Sequence, residues 1–319
     1  MMRKIPKVNT VTGLVSPSEL GKTLMHEHVL FGYGGWYANS TLMPFKREAC
    51  IKTALNTIKG LKTYGVDTVV DCTPNDCARD PELLKEISER SGMKIICATG
   101  LYTDADGGSG YFKFRKWIAG DATDEIYELF RMEITQGIGT TGIKPGVIKV
   151  ATGDGSISPY EEMVLRAAAR VQKETGIPII THTGGAATMA IEQADLLISE
   201  GADPKRILIG HMGGSADIKY HLAILGKGVY IAFDRLGDKL LSTDEMCKAC
   251  IIGLIGVGYE SRIMLSHDTI WHFLGKSPFD LSPTHIFKNI IPALKQAGIT
   301  EDKIKTIMID NPKRLFAGL

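Results

Sequence analysis

The feature that most restricts the fold of this chain is a repeated pattern, in which a short apolar run rich in Val and Ile is followed by an amphipathic stretch. The runs predict eight β-strands, at residues 23–28, 68–73, 94–102, 146–151, 178–183, 207–212, 229–235 and 263–268. Several runs are apolar on both faces, which is typical of parallel strands covered by helices. The intervening stretches predict helices at 47–64, 81–91, 124–137, 158–175, 189–201, 242–257, 283–297 and 301–316.

This alternation favours an α/β protein of the TIM (β/α)8 barrel class, a fold that takes about 250 residues. The alternative is an open doubly wound sheet, but no Gly-rich dinucleotide motif follows the first strand. No linker or low-complexity segment divides the sequence, so residues 1–319 are expected to form one domain. Residues 8–15 are expected to form a short N-terminal β extension that closes one end of the barrel.

The composition excludes several classes of partner. Lys plus Arg (37) nearly balance Asp plus Glu (36), which gives no electrostatic reason to expect binding to nucleic acid or to an anionic membrane. The sequence shows no signal peptide and no apolar run long enough to span a bilayer. The six cysteines are scattered through apolar segments, and Cys247 and Cys250 form a single CxxC without a second pair. We therefore expect reduced thiols and a cytoplasmic protein.

Residues of metal-binding type stand at the C-terminal ends of the predicted strands, where TIM barrels place their active sites. They are His26, His28, Lys149, His182, His211 and Asp268. Residues two apart on a strand share a face, so His26 and His28 can reach one metal ion while Glu27 points away. One histidine at a strand end is more often structural, but six such residues at one level of a barrel favour a metal centre.

The size of this set points to two ions, since it exceeds what one tetrahedral ion needs. Imidazole suits Zn, Mn, Co or Fe, and the mixture of nitrogen and oxygen ligands fits hydrolytic sites. Lys149, held between cations, should have a lowered pKa. Its neutral amine could then add carbon dioxide, and the resulting carbamate has two oxygens that could bridge the ions. His267 is expected to face the opposite side from Asp268.

These residues and several longer motifs resemble the amidohydrolase superfamily. Within it the chain looks like the phosphotriesterase family, and it is most similar to the phosphotriesterase-like lactonases. The motifs are 21–28 (GKTLMHEH), 70–76 (VDCTPND), 209–213 (IGHMG), 233–235 (FDR) and 266–268 (SHD). The resemblance runs over nearly the whole chain.

The resemblance implies a division of the ligands. One set would hold the more buried ion: His26, His28 and Asp268. His182 and His211 would hold the more exposed ion, and Lys149 would bridge both as N6-carboxylysine. The family also implies zinc as the first choice of metal, with Co, Mn or Fe as alternatives, and a homodimer as the assembly.

The reaction that the resemblance implies is the opening of a lactone by a metal-bridging hydroxide, which two cations make nucleophilic at neutral pH. Asp268 would shuttle the proton from the hydroxide to the leaving alkoxide. Tyr102 matches a tyrosine beside the metals and would help to stabilise the oxyanion. Arg235 matches an arginine that links strand seven to the pocket mouth. The alternatives are that Tyr102 only packs and that Arg235 only pairs with a carboxylate.

One departure from the lactonases lies in the connection after Asp268, residues 269–282, which is shorter than is usual in that group. It disfavours long-chain acyl-homoserine lactones and leaves Trp271 and Phe273 as candidate walls of the substrate pocket. The expected activity is therefore a lactonase, with a phosphotriesterase or another ester or amide hydrolase as alternatives that use the same site. A non-catalytic metal-binding protein is the remaining alternative. The sequence has no G-x-S-x-G motif, which disfavours a serine mechanism.

Overall fold

The computed structural model describes residues 7–238, 242–277 and 281–319, and it confirms the TIM barrel with its N-terminal β extension. The extension is an antiparallel pair, β1 (Val8–Thr10) and β2 (Gly13–Val15). The barrel strands are β3 (Lys22–Phe31), β4 (Val66–Asp71), β5 (Lys94–Gly100), β6 (Val147–Ala151), β7 (Ile179–His182), β8 (Ile207–Ile209), β9 (Tyr230–Phe233), β10 (Ile263–Leu265) and β11 (Ile270–Phe273). They are parallel, and each barrel strand from β3 to β10 lies beside its neighbour in sequence.

Strand eight closes the barrel in two pieces. The amide of Asp268, which lies between β10 and β11, donates to the carbonyl of His26 at 3.0 Å. Beyond it β11 pairs with β3, with Ile270 opposite His28. The predicted strand at 263–268 is therefore interrupted, because Asp268 has a left-handed backbone with φ of 54°.

Helices surround the barrel: α1 (Arg47–Lys62), α2 (Pro81–Ser91), α3 (Gly110–Ala119), α4 (Thr123–Thr135), α5 (Pro159–Thr175), α6 (Ala190–Ser199), α7 (Ile218–Leu225), α8 (Asp244–Gly256), α9 (Ile291–Gln296), α10 (Glu301–Lys305) and α11 (Asn311–Ala317). Local sequence explains several boundaries. Asp80 caps α2 by accepting from the Leu83 amide at 2.8 Å, and Ser158 opens α5 with a capping box.

Two helices, α3 and α7, were not predicted. The predicted helices at 283–297 and 301–316 each contain a π-helical turn, at Ile286–Ile290 and Thr306–Asp310. In the parts of the chain that the structure describes, no helix is both long and apolar enough to cross a membrane.

The core has two layers. Side chains inside the barrel form one cluster, which includes Met25, Val70, Ile96, Ile180 and Met264. A larger cluster fills the space between the strands and the helices. Because the barrel interior is packed, a functional site has room only above this layer, at the C-terminal ends of the strands.

Candidate metal centre

The structure brings all six expected metal ligands together at the C-terminal mouth of the barrel. They are His26, His28, Lys149, His182, His211 and Asp268. Five of them are buried, and the side chain of Asp268 is 16% exposed. Burial of so many polar groups in one place requires mutual partners or ions.

The first pair of histidines reaches the mouth because β3 is irregular. Its register with β4 shifts between Leu24 and Glu27. Met25 packs in the barrel interior, and the irregularity lets His26 and His28 also face the cavity, as a β-bulge does. His28 Nε2 lies 3.1 Å from Asp268 Oδ1, and His26 Nε2 lies 3.3 Å from the same oxygen. Glu27 points away, as predicted from alternation.

Lys149 and the remaining histidines complete the ring. Lys149 Nζ on β6 is 2.8 Å from His26 Nε2. His211 Nε2 is 2.8 Å from His182 Nδ1 and 3.8 Å from Asp268 Oδ2. His26, His211 and Asp268 each offer one ligand atom within 4.8 Å of the others. This spacing and the mixture of imidazole and carboxylate fit divalent transition metals.

Asp234 orients two of the histidines at once. Its Oδ2 accepts from His26 Nδ1 at 2.6 Å, and its Oδ1 accepts from His211 Nδ1 at 3.0 Å and from the His211 amide at 2.7 Å. The Nε2 atoms of both rings are thereby directed into the site, which is how outer carboxylates commonly fix metal-binding histidines. In the sequence Asp234 appeared only as part of the motif at 233–235, and it was not assigned this role.

A third ring is fixed by a threonine. Thr73 Oγ1 accepts from His28 Nδ1 at 2.9 Å and donates to the carbonyl of Leu30 at 3.1 Å. At His182 the Gln193 side-chain amide donates to the main-chain carbonyl at 2.7 Å and so holds the backbone. The rings of His26, His28 and His211 thus each have a partner outside the set of six residues.

The backbone is strained or closely packed at two of the candidate ligands, His211 and Asp268. His211 and Asp268 have φ of 62° and 54°, values that cost energy for residues other than glycine and often accompany functional sites. Gly210 precedes His211, and a Cβ there would lie 2.2 Å from the carbonyl oxygen of Thr181. Only glycine fits this close approach.

The electrostatics favour neutral imidazoles at His26, His182 and His211, beside an ionised Asp268. Burial lowers the pKa of His26 and of His182, and it lowers the pKa of His211 to about 3. Burial alone would raise the pKa of Asp268, but the adjacent histidines and Arg235 hold it well below its ordinary value. Burial also lowers the pKa of Lys149. A neutral imidazole is the form that binds a metal, and a lysine with a lowered pKa is more often the neutral amine that carbamylation requires.

A cavity of about 150 Å³ opens above the candidate ligands. Its wall includes Phe31, Tyr33, Tyr102, Arg235, Ile270 and Leu281. The Tyr102 ring lies 5.1 Å from the His182 ring, and Arg235 Nε donates to Asp268 Oδ2 at 3.1 Å. Both expected pocket residues therefore lie beside the ligands, and Arg235 pairs with Asp268.

The two proposed wall residues on β11 lie elsewhere. Trp271 is 8% exposed and packs in the layer between barrel and helices, with its indole donating to Thr269 Oγ1 at 3.2 Å. Alternation along β11 places Ile270 in the cavity wall instead. Phe273 stands behind the wall, with its ring 6.4 Å from Phe31 and 6.1 Å from Tyr33. We therefore revise the substrate wall from Trp271 to Ile270. Residues 278–280 of the short connection lie outside the described residues.

A TIM barrel whose strand ends present clustered histidines, a lysine and an aspartate is the arrangement of a hydrolase site at the barrel mouth. The model of the phosphotriesterase family matches residues 6–316. The chain belongs to the phosphotriesterase family, which is a family of binuclear metal enzymes.

Individual proteins of known sequence or structure are similar to this chain over nearly its full length. An aryldialkylphosphatase of Saccharolobus solfataricus is 33% identical, over 95% of this chain and 97% of the relative. The solved structure of an organophosphorus hydrolase from Deinococcus radiodurans superposes with a TM-score of 0.94 at 46% identity, covering 99% of this chain and 100% of that one. A mutant of a PTE-like lactonase from the same organism also gives 0.94, at 47% identity, over 97% and 99% of the two chains.

Proposed function

We propose that this protein is a dinuclear metal-dependent hydrolase that opens lactones. The observation that carries the proposal is the ring of six buried or nearly buried ligand-type residues, with Asp234 directing His26 and His211 into it. His26, His28 and Asp268 would hold one ion and His182 and His211 the other. Carbamylated Lys149 would lie between them. The similarity to a PTE-like lactonase supports the choice of substrate.

Bound divalent cations would supply a nucleophilic water at neutral pH and would polarise the substrate carbonyl. Asp268 is ionised, since its pKa is held low, so its carboxylate can accept the proton of the water and pass it to the leaving alkoxide. Burial raises the pKa of Tyr102 well above its ordinary value, so the phenol keeps its proton and can donate to the developing oxyanion. Arg235 holds the Asp268 carboxylate in place.

A kinetic comparison of lactones with organophosphates tests the substrate class. We expect a higher kcat/KM on lactones than on organophosphates, and only a weak dependence of kcat/KM on acyl-chain length. A closed acyl groove would instead give a steep dependence, because each methylene buried in it would add about 0.8 kcal/mol of binding free energy. Preference for organophosphates would instead favour a phosphotriesterase, an activity carried in the name of the Saccharolobus relative. Activity on neither class, together with amide hydrolysis, would contradict the lactonase proposal.

We also propose that the protein is a cytoplasmic homodimer, and that α3 contributes to the interface. The helix exposes four large apolar side chains, Tyr111, Phe114, Trp117 and Ile118, which are 51–79% exposed. Exposed apolar patches of this kind often mark interfaces. Two of the three basic residues of α3, Lys113 and Arg115, pair internally with Asp104 and Glu125, at 2.7 and 2.9 Å. This leaves an apolar face that suits a second copy better than an anionic membrane. The six free, buried cysteines are in keeping with a reducing compartment.

Trp117→Lys should therefore convert a dimer into a monomer, because it places a charge in an apolar contact. Sedimentation velocity measures the change. Val257→Lys is the matched control, since Val257 is 60% exposed at the end of α8. A dimer that survives Trp117→Lys, or one that Val257→Lys dissociates equally, would contradict the assignment of α3 to the interface.

A further inference from the structure

The residue between the first two histidine ligands has no part in the proposed chemistry, yet its side chain is completely buried. Glu27 is 0% exposed and points away from the cavity. Its carboxylate lies against residues 266–269, which belong to the segment that joins β10 to β11. A buried carboxylate with this placement needs several donors to offset its loss of hydration.

Those donors come from three residues of that segment. Glu27 Oε1 accepts from Ser266 Oγ at 2.9 Å, from the His267 amide at 3.0 Å and from His267 Nδ1 at 2.9 Å. Glu27 Oε2 accepts from the Thr269 amide at 3.2 Å and from the Thr269 hydroxyl. The donors therefore lie immediately before and immediately after Asp268.

Asp268 depends on this support because its backbone is strained. Its φ of 54° lies in the left-handed region that aspartate adopts at a cost. Asp268 is held through its two neighbours, since the main-chain amides of His267 and Thr269 both donate to the Glu27 carboxylate. The network extends outward, because His267 Nε2 accepts from the Ile286 amide at 3.1 Å. The position of Asp268 is thus fixed between β3, which carries Glu27, and the helical segment that begins at Ile286.

We propose that Glu27 is a positioning residue for Asp268: it holds the strained backbone that places the Asp268 carboxylate among the ligand histidines. The inference rests on the proposed metal-dependent function. Glu27 touches neither substrate nor metal in this scheme, and it acts only through Asp268. The HxH motif would then have three functional positions, two facing the site and one holding the adjacent segment between β10 and β11.

Glu27→Gln tests the proposal, because an amide cannot accept from both sets of donors. Whichever way the amide is oriented, its NH₂ group faces two or three donors. Co²⁺ titration of metal-free protein, followed by visible absorption, measures binding without any substrate. We expect affinity to fall at least about tenfold, the usual effect of losing an outer partner of a ligand.

Glu161→Gln is the matched control. Glu161 is a buried carboxylate that accepts from three amides, those of Asp104, Gly153 and Ser158, and it does not hold Asp268. It should lose stability without losing Co²⁺ affinity. If Glu27→Gln does not fold, Thr269→Val removes one of the five donors to Glu27, together with the acceptor of the Trp271 indole, and it should weaken Co²⁺ binding in the same direction but less.

A double-mutant cycle separates positioning from general stability. If Glu27 acts through Asp268, then Glu27→Gln should weaken binding little further in an Asp268→Asn background. Additive losses, or Co²⁺ affinity in Glu27→Gln equal to that of the parent protein, would overturn the proposal. Absence of Co²⁺ binding in the parent protein would instead contradict the dinuclear function and this inference with it.

Discussion

Replacing Lys149 with alanine should lower kcat/KM by well over about 100-fold and remove most of the bound metal. Losing an outer partner of a ligand already costs about 10–100-fold, and Lys149 would be a direct bridging ligand. The side chain is 1% exposed and its Nζ lies 2.8 Å from His26 Nε2. Its removal would leave the two groups of ligands without the anion that joins them.

Elemental analysis and rescue together measure this effect. The parent protein should contain about two divalent ions per chain. Addition of a short carboxylic acid such as propionate to Lys149→Ala should restore part of the activity, since a carboxylate can bridge in place of the carbamate. Lys59→Ala, an exposed position on α1, is the control and should change neither quantity. Retention of both ions and full activity by Lys149→Ala would refute the bridge.

That the candidate ligands would lie together could be predicted, because their grouping follows from the periodicity of the barrel. Parallel strands end at one level, so residues near the C-terminal ends of separate strands, such as Lys149, His182 and His211, must meet there once the barrel closes. Apolar runs predict where strands lie, and a polar side chain within two residues of the end of a run is a candidate for the mouth. No knowledge of helix packing is needed for this step.

The supporting residues could not be predicted, because their partners are distant in sequence. Asp234 touches His26 across 208 residues, and Glu27 touches His267 across 240. Irregularities of the backbone could not be predicted from the sequence either. The left-handed Asp268 splits strand eight and resets its alternation, so Ile270 rather than Trp271 reaches the cavity wall. The helix α3 was missed because its aromatic residues are largely exposed and give no single buried stripe.

Removing the carboxylate of Asp234 should have the second largest effect, since it orients two of the proposed ligands, His26 and His211, at once. Loss of one outer partner costs about 10–100-fold in metal affinity, so loss of both should cost roughly 10²–10⁴-fold. Asp234→Asn keeps one acceptor and turns the other into a donor, so one histidine keeps its partner. Asp234→Ala removes both partners and leaves a void among completely buried groups.

The metal affinities of the parent, Asp234→Asn and Asp234→Ala proteins are measured by competition with a chelator. The affinity should be highest in the parent, lower in Asp234→Asn and lowest in Asp234→Ala, and kcat should fall in the same order. Asp195→Asn is the control, because Asp195 is an exposed carboxylate on α6, paired with Lys227 at the surface. A purely structural role would lower the melting temperature of the metal-free protein while leaving the metal affinities unchanged. Equal metal affinity in all three proteins would therefore show that His26 and His211 reach their binding geometry without Asp234.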